Sequence, residues 1–99
     1  MNQQAMLRKA RQLQQEMLAT QKEIDETSFT ASVGPVTVVM KGSKILERVV
    51  IDTDYKIETE EDKELLEDSI VAACSKLNTE INNFTEEKMA KYKAFLGGF

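Results

Sequence analysis

The chain has 99 residues, a hydrophobic fraction of 41% and a formal net charge of −4. This length suits a single small domain, and the hydrophobic fraction is high enough for a packed core rather than disorder. The sequence contains no histidine and only one cysteine. It therefore lacks the commonest general base and the commonest metal ligand, and it cannot form an internal disulfide. We expect a binding or assembly protein that is not an enzyme and has no cofactor or metal.

Residues 2–26 are predicted to form the first helix. Apolar or small residues recur there at spacings of four and three, as in the seam of a heptad repeat: Met6, Ala10, Leu13, Met17, Thr20 and Ile24. The pattern fits either an ordinary amphipathic helix on its own core or a long contact with a second helix. The sustained spacing favours the helix–helix contact.

The period changes at residue 28, where a three-stranded antiparallel sheet is predicted. Residues 28–33 alternate apolar and polar side chains, residues 36–41 are rich in β-branched residues, and residues 45–52 form the third strand. Gly34-Pro35 ends the first strand, and Gly42-Ser43 supplies a hairpin turn before the third.

The third strand carries apolar residues on both of its predicted faces. Simple alternation gives one face Ile45, Glu47, Val49 and Ile51, and the other face Leu46, Arg48 and Val50. We expect each face to be at least partly covered. One layer of helices covers one face, so a partner subunit is expected on the other.

The last helix is predicted to run from residue 60 to 96. Thr59, followed by three acids, is typical of a helix start, because acids are favourable near the positive end of the helix dipole. The apolar stripe of this helix contains Leu66, Ile70, Ala73, Leu77, Ile81, Phe84, Met89, Tyr92 and Leu96. Gly97-Gly98 is predicted to end it. The whole chain, residues 1–99, is thus predicted to be one domain.

Charges are distributed unevenly along the chain. Residues 1–22 carry four basic residues against one acid, residues 88–99 carry three lysines and no acid, and residues 52–68 carry nine acids against two lysines. If the helices pack antiparallel, both basic ends meet at the point furthest from the sheet. Such a basic tip suits phosphate neutralisation, while an acidic base would repel nucleic acid.

This pattern gives a set of candidate DNA contacts. Phosphates would be contacted by Arg8, Lys9, Arg11, Lys88, Lys91 and Lys93, with Tyr92 packing on a sugar or base. The lysines also have a simpler interpretation: cations near a helix C-terminus complement its dipole, and Glu87 with Lys91 is an ordinary i, i+4 pair.

Two stretches of the sequence resemble the YbaB/EbfC family of bacterial nucleoid-associated proteins. They are "RKARQLQQEM" and, later, "RVVIDTDYKIETEEDKELLEDSIVAACSKLN". The similar features are the glutamine-rich first helix, the strand that ends in Val-x-Ile-Asp, and the acidic entry into the last helix. No single feature is a sharp signature, so the resemblance depends on their combination and order.

The resemblance implies an α+β fold, with an α-β-β-β-α protomer that forms a homodimer through its sheets. Helical arms would project from this body in a tweezer-like shape. Members of the family bind double-stranded DNA with little sequence preference and are associated with nucleoid organisation and gene regulation. We therefore expect a cytoplasmic, nucleoid-located DNA-binding protein with no membrane partner and no small-molecule substrate.

One alternative belongs to a different class of protein. A chaperone-like protein–protein module of the prefoldin type also has paired helices around a hairpin, and heptad spacing allows it. The predicted third strand, the short first helix and the family resemblance all argue against this alternative.

Overall fold

The computed structural model describes residues 2–96 and the side chains of residues 2–94. It confirms the α+β class and the α-β-β-β-α order. The elements are α1 (Gln3–Glu26), β1 (Ser28–Val33), β2 (Val36–Lys41), β3 (Leu46–Ile51) and α2 (Glu60–Leu96). β3 is one residue shorter at each end than predicted. The predicted helix stop at Gly97-Gly98 and the side chain of Leu96 lie outside the described part. The molecule is elongated, with extents of 72 × 20 × 13 Å.

Both ends of α1 are capped. At the start, Oδ1 of Asn2 accepts a hydrogen bond from the Ala5 N–H at 2.8 Å, which satisfies one of the helix's unpaired donors. At the end, the Thr27 N–H donates to the carbonyl oxygens of Glu23 and Ile24, each at 3.1 Å. Thr27 is also the single residue between α1 and β1. Helix and strand are therefore joined without an intervening loop.

The predicted stripe of α1 faces inward over most of its length. Ile24 is 1% exposed. Four further positions are half-buried: Ala10, Leu13, Met17 and Thr20. Met6 is instead 58% exposed. The stripe therefore continues beyond the part of α1 that is packed against the rest of the protein.

The core lies between α2 and one face of the sheet. β2 is the central strand and pairs antiparallel with β1 and β3, and its residues Val36 and Val38 are buried. They pack in one cluster with Ala73, Leu77 and Ile81 of α2, which are at most 1% exposed. Burying one large aliphatic side chain contributes roughly 1.5–3 kcal/mol. The apolar stripe of α2 therefore holds the helix on the sheet.

The predicted stripe of α2 is confirmed wherever its side chains are described. These residues are buried or half-buried: Leu66, Ile70, Ala73, Leu77, Ile81, Phe84, Met89 and Tyr92. Ser69, which was not predicted, is also buried, at 3% exposure. It lies under the first hairpin turn, so a small side chain is required at that position.

Two glycines let the hairpin turns approach the helices closely. Gly34 has φ +53°, and a Cβ there would lie 2.9 Å from Oγ of Ser69. Gly42 follows β2, and a Cβ there would lie 1.9 Å from the carbonyl oxygen of Ile24 at the end of α1. The Gly42 N–H also donates to the Thr27 carbonyl at 2.8 Å. A side chain at position 42 would force α1 away from the sheet.

A β-bulge in β3 overturns part of the predicted assignment of its side chains to two faces. Arg48 pairs with Val39, but the next pair toward the turn is Leu46 with Met40, which leaves Glu47 as an extra residue. Leu46 therefore lies on the helix-covered side with the buried Met40, not on the side of Arg48. The prediction was wrong here because simple alternation assumes an unbroken ladder.

The same bulge moves Glu47 to the face away from α2. Glu47 accepts a hydrogen bond from the Ser28 hydroxyl, and Ser28 alternates with Phe29, which packs against the core under α2. Val49 and Ile51 keep their predicted common face, since they pair with Val38 and Val36 of the buried row. Glu47 does not share that face.

β3 is an edge strand with little cover from its own chain. α2 packs over β1 and β2. Large apolar side chains around β3 remain exposed: Ile45 at 63%, Leu46 at 49%, Val50 at 40% and Ile51 at 43%. Within one chain only Val49 of the apolar β3 residues packs against the core, and the expected partner subunit remains a prediction.

The start of α2 is capped at Thr59, as predicted. Oγ1 of Thr59 accepts from the Asp62 N–H at 3.1 Å, and Oδ2 of Asp62 accepts from the N–H groups of Glu58 and Thr59, each at 3.0 Å. The bond from Glu58, helped by those from Thr59, lowers the pKa of the Asp62 carboxyl. Tyr55 donates its hydroxyl hydrogen bond to the Asp62 carbonyl, and partial burial, then the charge of Asp62, raise the pKa of Tyr55.

Candidate nucleic-acid interface

Beyond the sheet, α1 and α2 lie antiparallel. Near the sheet, the rings of Phe29 and Phe84 meet edge to face with centroids 5.2 Å apart. Further out, the hydroxyl oxygens of Thr20 and Tyr92 lie 3.1 Å apart. With increasing distance from the sheet, residue numbers therefore decrease along α1 and increase along α2. We call this two-helix projection, residues 3–24 and 85–96, the arm.

The helices of the arm differ in length, which separates their basic residues. Thr20 and Tyr92 lie at one level. At about 1.5 Å per residue, Arg11 lies about 13 Å and Arg8 about 18 Å further out than this level, whereas Lys88 lies about 6 Å toward the sheet. The predicted convergence on one tip is thus not observed. The basic residues are instead spread over about 24 Å along the arm, because α1 extends beyond the last described residue of α2. We call this set the basic strip; its members are Arg8, Lys9, Arg11, Lys22, Lys88, Lys91 and Lys93.

The three lysines on the α2 side of the arm do not share one face. Nζ of Lys88 lies 5.5 Å from the centroid of the Phe84 ring, and Nζ of Lys91 lies 5.0 Å from that of Tyr92. These cation–π contacts hold two charges close to the helix. Lys93 follows Lys88 by five residues, or about 140° around the helix, so it projects to a different side.

The basic residues of α1 are all exposed, and one of them was missed in the sequence. Arg8, Lys9 and Arg11 lie in the outer half of the arm. Lys22 is also exposed and follows Arg11 by eleven residues, close to three full helical turns, so both lie along one side of α1. Lys22 is two residues from Thr20 and so lies at the level of the α2 lysines. Its spacing was visible in the sequence, but it was not among the candidates.

Tyr92 is a packing residue in this structure. It is 3% exposed and its hydroxyl is engaged with Thr20. This burial does not fit the predicted contact of Tyr92 with a sugar or base, because the ring lies between the helices. In the sequence alone, a tyrosine on a helix stripe fits packing and surface contact equally well.

The cations of the arm are not paired with acids. Among the described residues, the one ion pair within 4 Å joins Lys63 to Glu60 at 3.8 Å, near the start of α2. The predicted pair of Glu87 with Lys91 is not formed. The basic groups of the arm are therefore available to an anionic partner.

Acidic residues concentrate at the other end of the molecule. They lie in the loop before α2 and in its first turns, over residues 52–68. Asp68 precedes Tyr92 by 24 residues, which is about 36 Å along the helix. The densest acidic segment is thus held away from the basic residues of the arm by the length of α2, although Glu86 and Glu87 directly precede Lys88.

Residues 1–96 match the model of a family described as the YbaB/EbfC DNA-binding family. The chain belongs to the YbaB/EbfC family. A nucleoid-associated protein of Lactococcus lactis subsp. cremoris, strain MG1363, is 33% identical over 94 residues, with 93% of each chain covered. Nucleoid-associated protein LL0120 of Lactococcus lactis subsp. lactis, strain IL1403, has the same identity and coverage.

Two further observations concern the described residues of this YbaB/EbfC protein. No helix within residues 2–96 is long and apolar enough to cross a membrane. No group of three or more histidine, cysteine or acidic side chains in that range is placed to hold a metal ion. The unpaired cations of the arm agree with the description of the family as DNA-binding.

Proposed function

We propose that this protein binds double-stranded DNA through the basic strip of the arm, with weak sequence preference. It acts in nucleoid organisation and gene regulation in the cytoplasm, and it is not an enzyme. The observation that carries the proposal is the strip of exposed, unpaired cations in a member of a DNA-binding family. The names of the relatives, which are nucleoid-associated proteins, support the location.

The length of the strip suits the DNA backbone. It spans about 24 Å at the helical rise, and B-DNA rises about 3.4 Å per base pair, so the strip matches about seven base pairs. The proposed phosphate contacts are Arg8, Lys9, Arg11, Lys22, Lys88, Lys91 and Lys93. Tyr92 supports them by holding α2 against α1 rather than by touching DNA.

Weak sequence preference follows from the kind of contact. Phosphate contacts position a protein on the duplex but carry no sequence information. The acidic residues around the start of α2 repel the DNA backbone, which confines contact to the arm.

We also propose that two chains form a homodimer through β3. This edge strand has unpaired backbone groups and exposes Leu46, Val50 and Ile51, and such edges readily pair with another strand. Pairing would bury these side chains and place two arms on one body. Two arms would double the number of phosphate contacts available to one assembly.

The homodimer is tested by sedimentation of the double variant Val50→Asp/Ile51→Asp. We expect it to sediment as a monomer, because two desolvated carboxylates would be placed in the interface. Leu18→Asp, at an exposed apolar position of α1, is the control and should remain a dimer. A monomeric wild-type protein would contradict the proposal.

DNA binding is tested first by its salt dependence. If about six to ten phosphates are neutralised per dimer, the affinity for a random duplex should fall about 10³- to 10⁵-fold between about 50 and about 200 mM salt. An affinity that does not change with salt would exclude the basic strip as the binding surface. Suppressed aggregation of an unfolded protein, without any DNA shift, would favour the chaperone-like alternative.

Charge reversals then locate the surface. Lys88→Glu/Lys91→Glu/Lys93→Glu should abolish binding while the dimer persists, and Arg8→Glu/Arg11→Glu should weaken it strongly. The matched control is Lys56→Glu/Lys76→Glu, which reverses two exposed lysines near the sheet and should retain binding. Equal loss in the control would show that net charge alone, not the arm, determines binding.

A further inference from the structure

The outward side of α1 carries a basic and partly apolar surface. Gln4, Leu7, Arg8 and Arg11 line a shallow hollow there. Their spacings of three and four place them along one helix face. Leu7 is 54% exposed although it is apolar, so this face offers an apolar contact between two arginines. We call these four residues the tip stripe.

The outward side of α2 near its start carries the complementary pattern. Leu65 is 51% exposed and Val71 is 65% exposed, and their separation of six residues places them about 120° apart around the helix. Exposed acids stand beside them at helical spacing: Glu61, Glu64 and Asp68. None of these acids makes an ion pair among the described residues. We call these five residues the acidic stripe.

One chain cannot bring its own two stripes together. Asp68 lies about 36 Å along α2 from the level of Tyr92, and Arg11 lies about 13 Å further out than that level. Nearly 50 Å of rigid helix therefore separates the stripes, at about 1.5 Å per residue. Any contact between them must join two molecules.

We propose that the tip stripe of one molecule docks on the acidic stripe of a second copy. Leu65 enters the hollow beside Leu7, and Arg8 and Arg11 face Glu64 and Asp68. The two surfaces differ, so the contact is heterologous, and each associated pair leaves one tip stripe and one acidic stripe free. Such contacts can add further molecules, as open chains or, where the rotation closes, as rings.

The contact should be weak and sensitive to salt. A single helix face on each side buries less area than a standard stable interface, so association requires high local concentration. Its charges lie at the surface, where salt screens them. It would also compete with DNA for Arg8 and Arg11, although it does not require DNA binding.

Sedimentation velocity without DNA tests the proposal. At about 0.01 M salt, where the Debye length is about 30 Å, the mean sedimentation coefficient should rise with protein concentration. At about 1 M salt, where this length is about 3 Å, it should stay at the value of the basic unit. Absence of any salt-sensitive association at the highest soluble concentration would overturn the proposal.

Two charge-reversal variants identify the surfaces. Arg8→Glu/Arg11→Glu and Glu64→Arg/Asp68→Arg should each lower the self-association constant by about tenfold or more, because like charges would then face each other. A mixture of both variants should associate again, since each restores the charge pairs of the other. Failure of the mixture to associate would overturn the proposed pairing.

The controls separate this inference from the proposed function. Glu26→Arg/Glu80→Arg changes net charge by the same amount as the acidic-stripe variant, at exposed sites outside both stripes, and should associate like the wild type. Glu64→Arg/Asp68→Arg keeps the basic strip and should still bind DNA. If DNA binding persists while the wild type shows no association, the docking fails and the proposed function stands. If the wild type associates but does not bind DNA, the docking stands and the proposed function fails.

Discussion

The two halves of α2 belong to one continuous helix but differ in what they contact and in the charge that they expose. The half over the sheet buries Ala73, Leu77 and Ile81 and exposes acids. The half in the arm has only α1 as a neighbour, buries Tyr92 and exposes lysines. One half packs on the sheet, and the other presents positive charge beside a narrower contact with α1. Packing on the sheet and exposed positive charge are thus separated along a single helix.

The largest effect is expected from Leu77→Ala, at the centre of the sheet half. Leu77 is fully buried, and removing a buried leucine costs about 2–5 kcal/mol of unfolding free energy. Urea denaturation measures the loss. Met17→Ala, at a half-buried position of the arm, is the control and should cost markedly less. Equal losses would break the distinction between the two halves.

Gly42→Ala should come next, because it acts where the arm joins the sheet. The new Cβ would meet the Ile24 carbonyl oxygen at 1.9 Å, and such overpacking costs about 1–3 kcal/mol. Hydrogen exchange should show faster opening of α1 than of α2. The neighbouring Ser43→Ala, in an exposed turn position, should be neutral. A wild-type exchange pattern in Gly42→Ala would show that the turn does not hold α1.

A smaller effect is expected from Tyr92→Phe in the arm. It removes the hydroxyl contact with Thr20, and a hydrogen bond of this kind contributes about 0.5–1.5 kcal/mol. Combining it with Thr20→Val in a double-mutant cycle should give less than additive loss, since both changes remove one interaction. Strict additivity would mean that the two hydroxyl groups do not interact.

The smallest effect concerns the exposed cap at the start of α2. Hydrogen bonds lower the pKa of Asp62, so its contribution is present above the unfolded pKa of about 3.9 and is lost as pH falls through the lower folded pKa. Asp62→Asn should lower the thermal midpoint slightly near neutral pH, and the difference should shrink below about pH 4. Glu61→Gln, which lacks these bonds, should show no such trend. A difference that grows in acid would contradict the assignment.

Local patterns were sufficient to predict the helices, the strands and the buried side of α2. Periods of 3.6 and 2 specify which residues face a core, as Leu77 and Val38 show. The bulge at Glu47 was not predictable, because nothing in alternating residues marks an extra one. Leu46 was assigned to the wrong face for that reason.

The candidate site was predictable in composition but not in arrangement. Charge counting identified the cations of both helices. It could not show that Thr20 meets Tyr92, and this one contact sets the axial offset between Arg11 and Lys91. The burial of Tyr92 follows from the same contact. Long-range register of this kind depends on where both helices leave the sheet, which local patterns do not report.

The junction at Thr27 has a mechanical consequence. One residue joins α1 to β1, and Gly42 seats the second turn directly against Ile24. The arm is therefore fixed rigidly to the sheet at this junction and is not joined to it by a flexible hinge. A sideways force on Arg8 would be transmitted to the sheet as torque through this junction. Bending of a bound duplex would thus strain the root of α1 before it changed the angle between arm and sheet.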